Sequence, residues 1–133
     1  MKLKDVFNNT RPIKIDRHTS LSEALERMDK QGVNFALIVD NSKGDDVIGI
    51  VTRSIILRSI AKGLSQNEPV SKVMIKNVIT INGEEDLIDT FMFMMKNNIS
   101  HLLAINETGK IIGVVTLRDV LSAINKECER NID

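Results

Sequence analysis

The feature that most constrains this chain is that it repeats itself. Sliding the sequence by 66 residues aligns Ile13 with Ile79, Ile15 with Ile81, Leu21 with Leu87, Met28 with Met94 and Leu37 with Leu103. From Val47 onward the offset becomes 64, aligning Gly49 with Gly113, Val51 with Val115, Thr52 with Thr116, Leu57 with Leu121 and Ile60 with Ile124. The change of register falls in the turn Asn41 to Asp46, where the first copy is longer, and turns are where insertions are tolerated. A duplicated unit of about 65 residues is close to the smallest that can build a core alone. The repeats are therefore expected to share one compact module, repeat 1 over 1–63 and repeat 2 over 64–133.

Each copy carries the same series of local signals. A short alternating strand, Ile13 to Ile15 or Val78 to Ile81, comes first. A helix follows: Ser20 and Glu23 form a capping-box pattern ahead of the stripe Leu21, Ala24, Leu25, Met28, ending near Gly32, and Asp86 caps Leu87 to about Lys96. Two apolar runs then flank turn residues, Phe35 to Val39 with Val47 to Val51, and His101 to Ile105 with Ile111 to Val115. Closing helices are predicted over Arg53 to Lys62 and Leu117 to Glu129, with Gly63 to Pro69 as the linker. The order is β-α-β-β-α, twice, an α+β fold. Packing the two sheets face to face would bury what neither half can bury alone, with a pseudo-two-fold axis and two equivalent clefts.

Composition excludes several classes of function. Lys plus Arg equals Asp plus Glu at 18 each, which removes the bulk attraction used by nucleic-acid binders. With no Trp, no Tyr and four Phe, stacking platforms for single strands are missing too, and the core must be aliphatic and Met. Cys128 is the single cysteine, and His18 with His101 gives no zinc spacing, so no metal is expected. No apolar run approaches the roughly 20 residues of a membrane span. Polar Asn8-Asn9-Thr10 interrupts any secretory core, so a cytoplasmic location is expected. No nucleophile is paired with a base, so no catalytic residue and no enzyme activity are expected.

The strand-to-helix junction Gly113-Val114-Val115-Thr116-Leu117-Arg118-Asp119 has a partner in Gly49-Ile50-Val51-Thr52-Arg53-Ser54-Ile55. A Gly-apolar-apolar-Thr-x-x-Asp junction, preceded by Val73-Met74 and then Val78-Ile79-Thr80-Ile81, resembles the CBS domain, named for cystathionine beta-synthase. The resemblance covers nearly the whole chain as a tandem pair. It implies a regulatory, non-enzymatic module that binds an adenosine-containing ligand (AMP, ADP, ATP or S-adenosylmethionine) in the clefts between repeats, commonly as a disc-shaped dimer. No other cofactor is implied.

By that resemblance the carboxylate of Asp119 accepts hydrogen bonds from the two ribose hydroxyls, and Thr116 faces phosphate or ribose. A carboxylate has the acceptor capacity for a vicinal diol, and charge-assisted bonds are the stronger kind. The alternative is that Thr116-x-x-Asp119 only caps its helix, and the two roles are compatible. Val78, Ile79, Thr80 and Leu102 are expected to form an apolar slot with backbone groups for adenine, or else plain core. Arg118 and the start of the last helix would meet phosphate, with His101 or Lys76 as further candidates. In the first repeat Ile55 replaces the acceptor, so its cleft is expected to be filled or to take a ligand without a diol. Thr52, Arg53 and Lys14 leave it some polar capacity.

The second repeat's first helix carries Ile88, Met92 and Met95, spaced i, i+4, i+7, where the first repeat has Ser22, Glu26 and Asp29. This second apolar face is read as a homodimer interface, unless the terminal segment Lys126 to Asp133 folds over it. Taken together, the sequence points to a sensor of adenine nucleotides or S-adenosylmethionine that signals to an unidentified target protein. The alternative is a ligand-free dimerisation scaffold.

Overall fold

The computed structural model describes residues 1–6 and 12–130. The chain divides into two compact units, Pro12–Val78 and Met1–Arg11 with Ile79–Asp133. Each is a three-stranded sheet with two helices, so the α+β reading with two β-α-β-β-α halves holds.

In the first unit, β1 (Lys14–Asp16) leads into α1 (Leu21–Gln31), followed by β2 (Phe35–Val39), β3 (Val47–Thr52) and α2 (Arg53–Ala61). The sheet order is β1-β2-β3, parallel then antiparallel. Ser20 Oγ accepts the Glu23 N–H at 3.1 Å, satisfying one of the N–H groups a helix start leaves unpaired. Gly32 ends the helix at φ 65°, a left-handed conformation that glycine adopts without strain. Between these caps Leu21, Ala24 and Met28 recur on one face and are fully buried. They pack with Ile15, Ala36, Ile38, Val51 and Ile56 into an aliphatic core. Burying a large side chain of this kind is worth about 1.5–3 kcal/mol.

The second unit repeats the plan with β4 (Thr80–Asn82), α3 (Leu87–Lys96), β5 (His101–Ile105), β6 (Ile111–Thr116) and α4 (Leu117–Arg130). Its sheet order is β4-β5-β6. Asp86 Oδ2 accepts the N–H groups of Ile88 and Asp89 at 3.0 and 3.1 Å. Leu87, Met94, Leu102, Ala104, Val115 and Val120 form its core. Both hairpins shift register at the same point, between Ile38 and Val39 and between Ala104 and Ile105. The duplication therefore extends to backbone irregularities.

Two features differ from the expected pattern. The strand predicted from Val78 begins at Thr80, because pairing with β5 starts at Thr80 opposite Leu103 and Asn77 turns the chain at φ 55°. The second concerns the segments that precede each repeat. A 3-10 turn at Leu3–Val6 belongs to the second unit: Leu3 N–H donates to Glu85 O at 2.9 Å, Lys4 N–H to Gly83 O at 2.8 Å, and Leu87 N–H to Met1 O at 2.9 Å. Leu3 is wholly buried in that unit's core. In mirror fashion Glu68 O accepts the Leu21 N–H at 2.9 Å, Val70 N–H donates to Thr19 O at 2.8 Å, and Val70 is buried in the first core. The sequence repeat divides at Gly63/Leu64; the spatial units divide elsewhere, because each leading segment packs with the repeat it does not precede.

Among the described residues no helix is long and apolar enough to cross a membrane.

Candidate functional site

Thr116 closes β6, and Asp119 lies in the first turn of α4. They are joined by a reciprocal pair of bonds: Asp119 N–H donates to Thr116 Oγ1 at 3.1 Å, and Thr116 N–H donates to Asp119 Oδ2 at 3.0 Å. The capping reading is therefore correct as far as it goes. It uses Oδ2, whereas an ionised carboxylate has about four acceptor positions. Asp119 and Arg118 are both exposed. The equivalent corner of the first unit has half the device: Ile55 N–H donates to Thr52 Oγ1 at 3.2 Å, and the Ile55 side chain packs on the core. The polar residues noted beside it are engaged locally, Arg53 with Asp29 and Lys14 with Asp45.

His101 stands directly opposite Thr116 in the β5-β6 register, and its Nδ1 lies 2.9 Å from Ser100 Oγ. Ser100 is a residue the sequence did not single out. Its carbonyl accepts the Leu117 N–H at 3.0 Å, which fixes the junction between strand and helix. Thr80 sits across the sheet at the Leu103 position, so it shares the His101 and Thr116 face. As the central residue of a parallel pairing in which Ile79 O accepts the Leu103 N–H at 2.9 Å, Thr80 turns its own backbone N–H and C=O toward the open edge of β4. It also borders a groove of about 290 Å³ with Ile81, Asp89, Thr90 and Phe93.

The remaining expected residues do not all share that face. Leu102 lies on the opposite sheet face, pairs with Val115 and is fully buried in the core. Strand alternation excludes it from the Thr116 face. Ile79 is 39% exposed just before β4. Val78 and Lys76 belong to the other compact unit, where Lys76 lines a separate cavity. Among the described residues no group of three His, Cys, Asp or Glu can hold a metal ion.

Two β-α-β-β-α units, each with a Gly-x-x-Thr corner leading from the last strand into the last helix, define a tandem-repeat ligand-module fold. The sequence matches the CBS domain family over residues 3–62 and again over 70–126, and the chain belongs to that family. An uncharacterised conserved protein of Pyrococcus horikoshii is 31% identical, with a TM-score of 0.70 over 92% of this chain and 90% of that one. The CBS domain pair of protein MJ0100, crystallised with 5'-methylthioadenosine and S-adenosyl-L-methionine, is 25% identical, with a TM-score of 0.67 over 96% and 98% of the two chains. An uncharacterised protein of Methanocaldococcus jannaschii is 29% identical over 88% of this chain, which spans 38% of that protein's length.

Proposed function

We propose that the protein is a cytoplasmic regulatory module that binds an adenosine-containing ligand at the Thr116–Asp119 corner and passes the bound state to a target protein. The observation that carries this reading is the geometry of Asp119. Its capping bond to Thr116 engages Oδ2, which leaves Oδ1 as an acceptor for a ribose diol on an exposed helix start. Arg118 beside it supplies charge for a phosphate, and the outward backbone edge of Thr80 supplies a donor and an acceptor for a purine edge. The adenosine compounds held by the 25%-identical CBS pair support the ligand class. AMP, ADP and ATP satisfy all of this chemistry; S-adenosylmethionine shares the diol and the purine and offers Arg118 a carboxylate in place of a phosphate. No catalytic role is assigned to any residue.

The functional unit is a homodimer joined through α3. Ile88, Met92 and Met95 are 54%, 60% and 56% exposed, a continuous apolar stripe of the kind that marks an interaction surface. Lys126 to Arg130 continue α4 and leave this stripe exposed; 131–133 lie outside the described residues.

A melting screen with AMP, ADP, ATP, S-adenosylmethionine and NAD tests the ligand. At 100 times its dissociation constant a ligand adds about 2.7 kcal/mol. The second reading, a ligand-free scaffold, draws on the same reciprocal bond, since a helix cap alone accounts for it; that reading requires no shift with any of the five.

A further inference from the structure

We propose that the first unit carries a separate site for a small molecule bearing a phosphate group, at the hairpin end of its sheet. A cavity of about 470 Å³ opens there between the β2-β3 turn and the segment 74–77. Arg17, Lys43 and Lys76 bring three cations to it, and Ile48 and Met74 give it an apolar floor. Ile48 and Thr52 are four residues apart on β3, roughly 13 Å at strand spacing, so this is not the Thr52–Ile55 corner. Nor does the site depend on the nucleotide reading of Asp119.

The guanidinium of Arg17 is incompletely satisfied. Its backbone is fixed at both ends, N–H to Val39 O at 2.8 Å and C=O from Ser71 N–H at 3.1 Å. The side chain reaches Asp40 only as an ion pair, Nη1 to Oδ2 at 3.6 Å, beyond the usual hydrogen-bond range. Asp40 is 8% exposed, and its Oδ1 is occupied by the N–H and Oγ of Ser42 at 3.1 and 2.6 Å. Arg17 Nε is buried with no hydrogen-bond partner among the described residues. An unsatisfied charged donor is costly, and the Nε–Nη2 edge of a guanidinium is a fork suited to two oxygens of one anion.

Charge decides the ligand class. Arg17 and Asp40 offset one another, which leaves Lys43 and Lys76 against Asp46, an excess of one positive charge at the cavity. Among the described residues neither lysine has an ion pair or side-chain hydrogen bond. Donors converging from the turn after β1, the hairpin and the 74–77 segment suit a tetrahedral acceptor better than a planar carboxylate. Asp46 then stands ready to accept a hydroxyl from the rest of the molecule.

The test is a titration of the full ¹⁵N-labelled chain with inorganic phosphate and with pyrophosphate, against chloride at matched ionic strength. Saturable shifts at the Gly44 and Asn77 amides and the Arg17 Nε–H are expected. Lys43→Ala with Lys76→Ala should weaken them by about tenfold or more. Arg17→Lys, which keeps the charge but not the fork, should weaken them while the spectrum remains that of a folded chain. Shifts that track chloride, that survive the double substitution, or that appear only at Thr116 and Asp119 would overturn the second site.

Discussion

Asp119 gives Oδ2 to the backbone N–H of Thr116 at 3.0 Å while its own N–H donates to Thr116 Oγ1 at 3.1 Å. One carboxylate thereby fixes the start of α4 and holds a second oxygen in a defined direction. The two roles separate by magnitude. Asp119→Ala should cost about 1 kcal/mol of stability as a lost cap. Charge-assisted bonds to a diol are worth roughly 1.5–3 kcal/mol each, and losing 3 kcal/mol weakens affinity more than a hundredfold. Calorimetry and thermal melts on the same variant measure both; unchanged nucleotide affinity would reduce Asp119 to a cap.

Stoichiometry follows from Ile55. The Thr52 corner has the hydroxyl acceptor but no carboxylate, and Ile55 is packed on the core. Calorimetry on the wild type should give one adenosine ligand per chain. Two per chain would show that a diol acceptor is not what selects the site.

Met92→Glu with Met95→Glu should convert dimers to monomers on sizing columns, with the fold retained, since both side chains are more than half exposed. Second repeat is expected to face second repeat. A head-to-tail pairing would press the exposed Glu26–Lys30 and Asp29–Arg53 ion pairs against hydrocarbon and strip their solvent, which is costly. A dimer unchanged by the two substitutions would remove α3 from the interface.

Acid stability should depend on Glu84. Hydrogen bonds from Lys2 at 2.6 Å and Lys4 at 2.7 Å hold its carboxyl at about 2, down from an ordinary 4.5. A depressed folded-state value stabilises above the unfolded one, so this contribution is complete above pH 4.5 and is lost as pH falls toward 2. Glu84→Gln should therefore flatten the acid limb of a stability-against-pH curve in that window. Because the pair is solvent-exposed, added salt should shrink the difference. An acid limb identical to wild type would show that the pairing persists in the unfolded chain.

How much of this was legible in the sequence depended on how far apart the partners lie. Phe35–Val39, His101–Ile105 and the Asp86 cap were readable because strand run, turn and cap are local signals. Asp119 was readable because the repeat exposes Ile55 as its odd counterpart. For Leu102 the sequence left adenine slot and plain core both open although parity was available: Leu102 and Ala104 oppose Val115 and Gly113, so they share the core face. Val78 and Ile79 read as strand because alternation says nothing about where pairing begins, and Asn77 at φ 55° delays it. Arg17 and Lys76 are far apart in the chain, and no periodicity links them to the Lys43 turn. The leading segment was invisible for the same reason, since Leu3 finds its acceptor at Glu85.

That exchange of leading segments constrains when each core can be completed during synthesis. Residues 12–78 form one compact unit with Val70 in its core, so every residue of that core has been made before the second unit's strands appear. Leu3, made before that unit, has no core to enter until Leu102, Val115 and Val120 have been added. A segment made earlier thus waits for partners made later. A chain divided at Gly63 would give one fragment that lacks Val70 and another that lacks Leu3, each without a residue of its own interior.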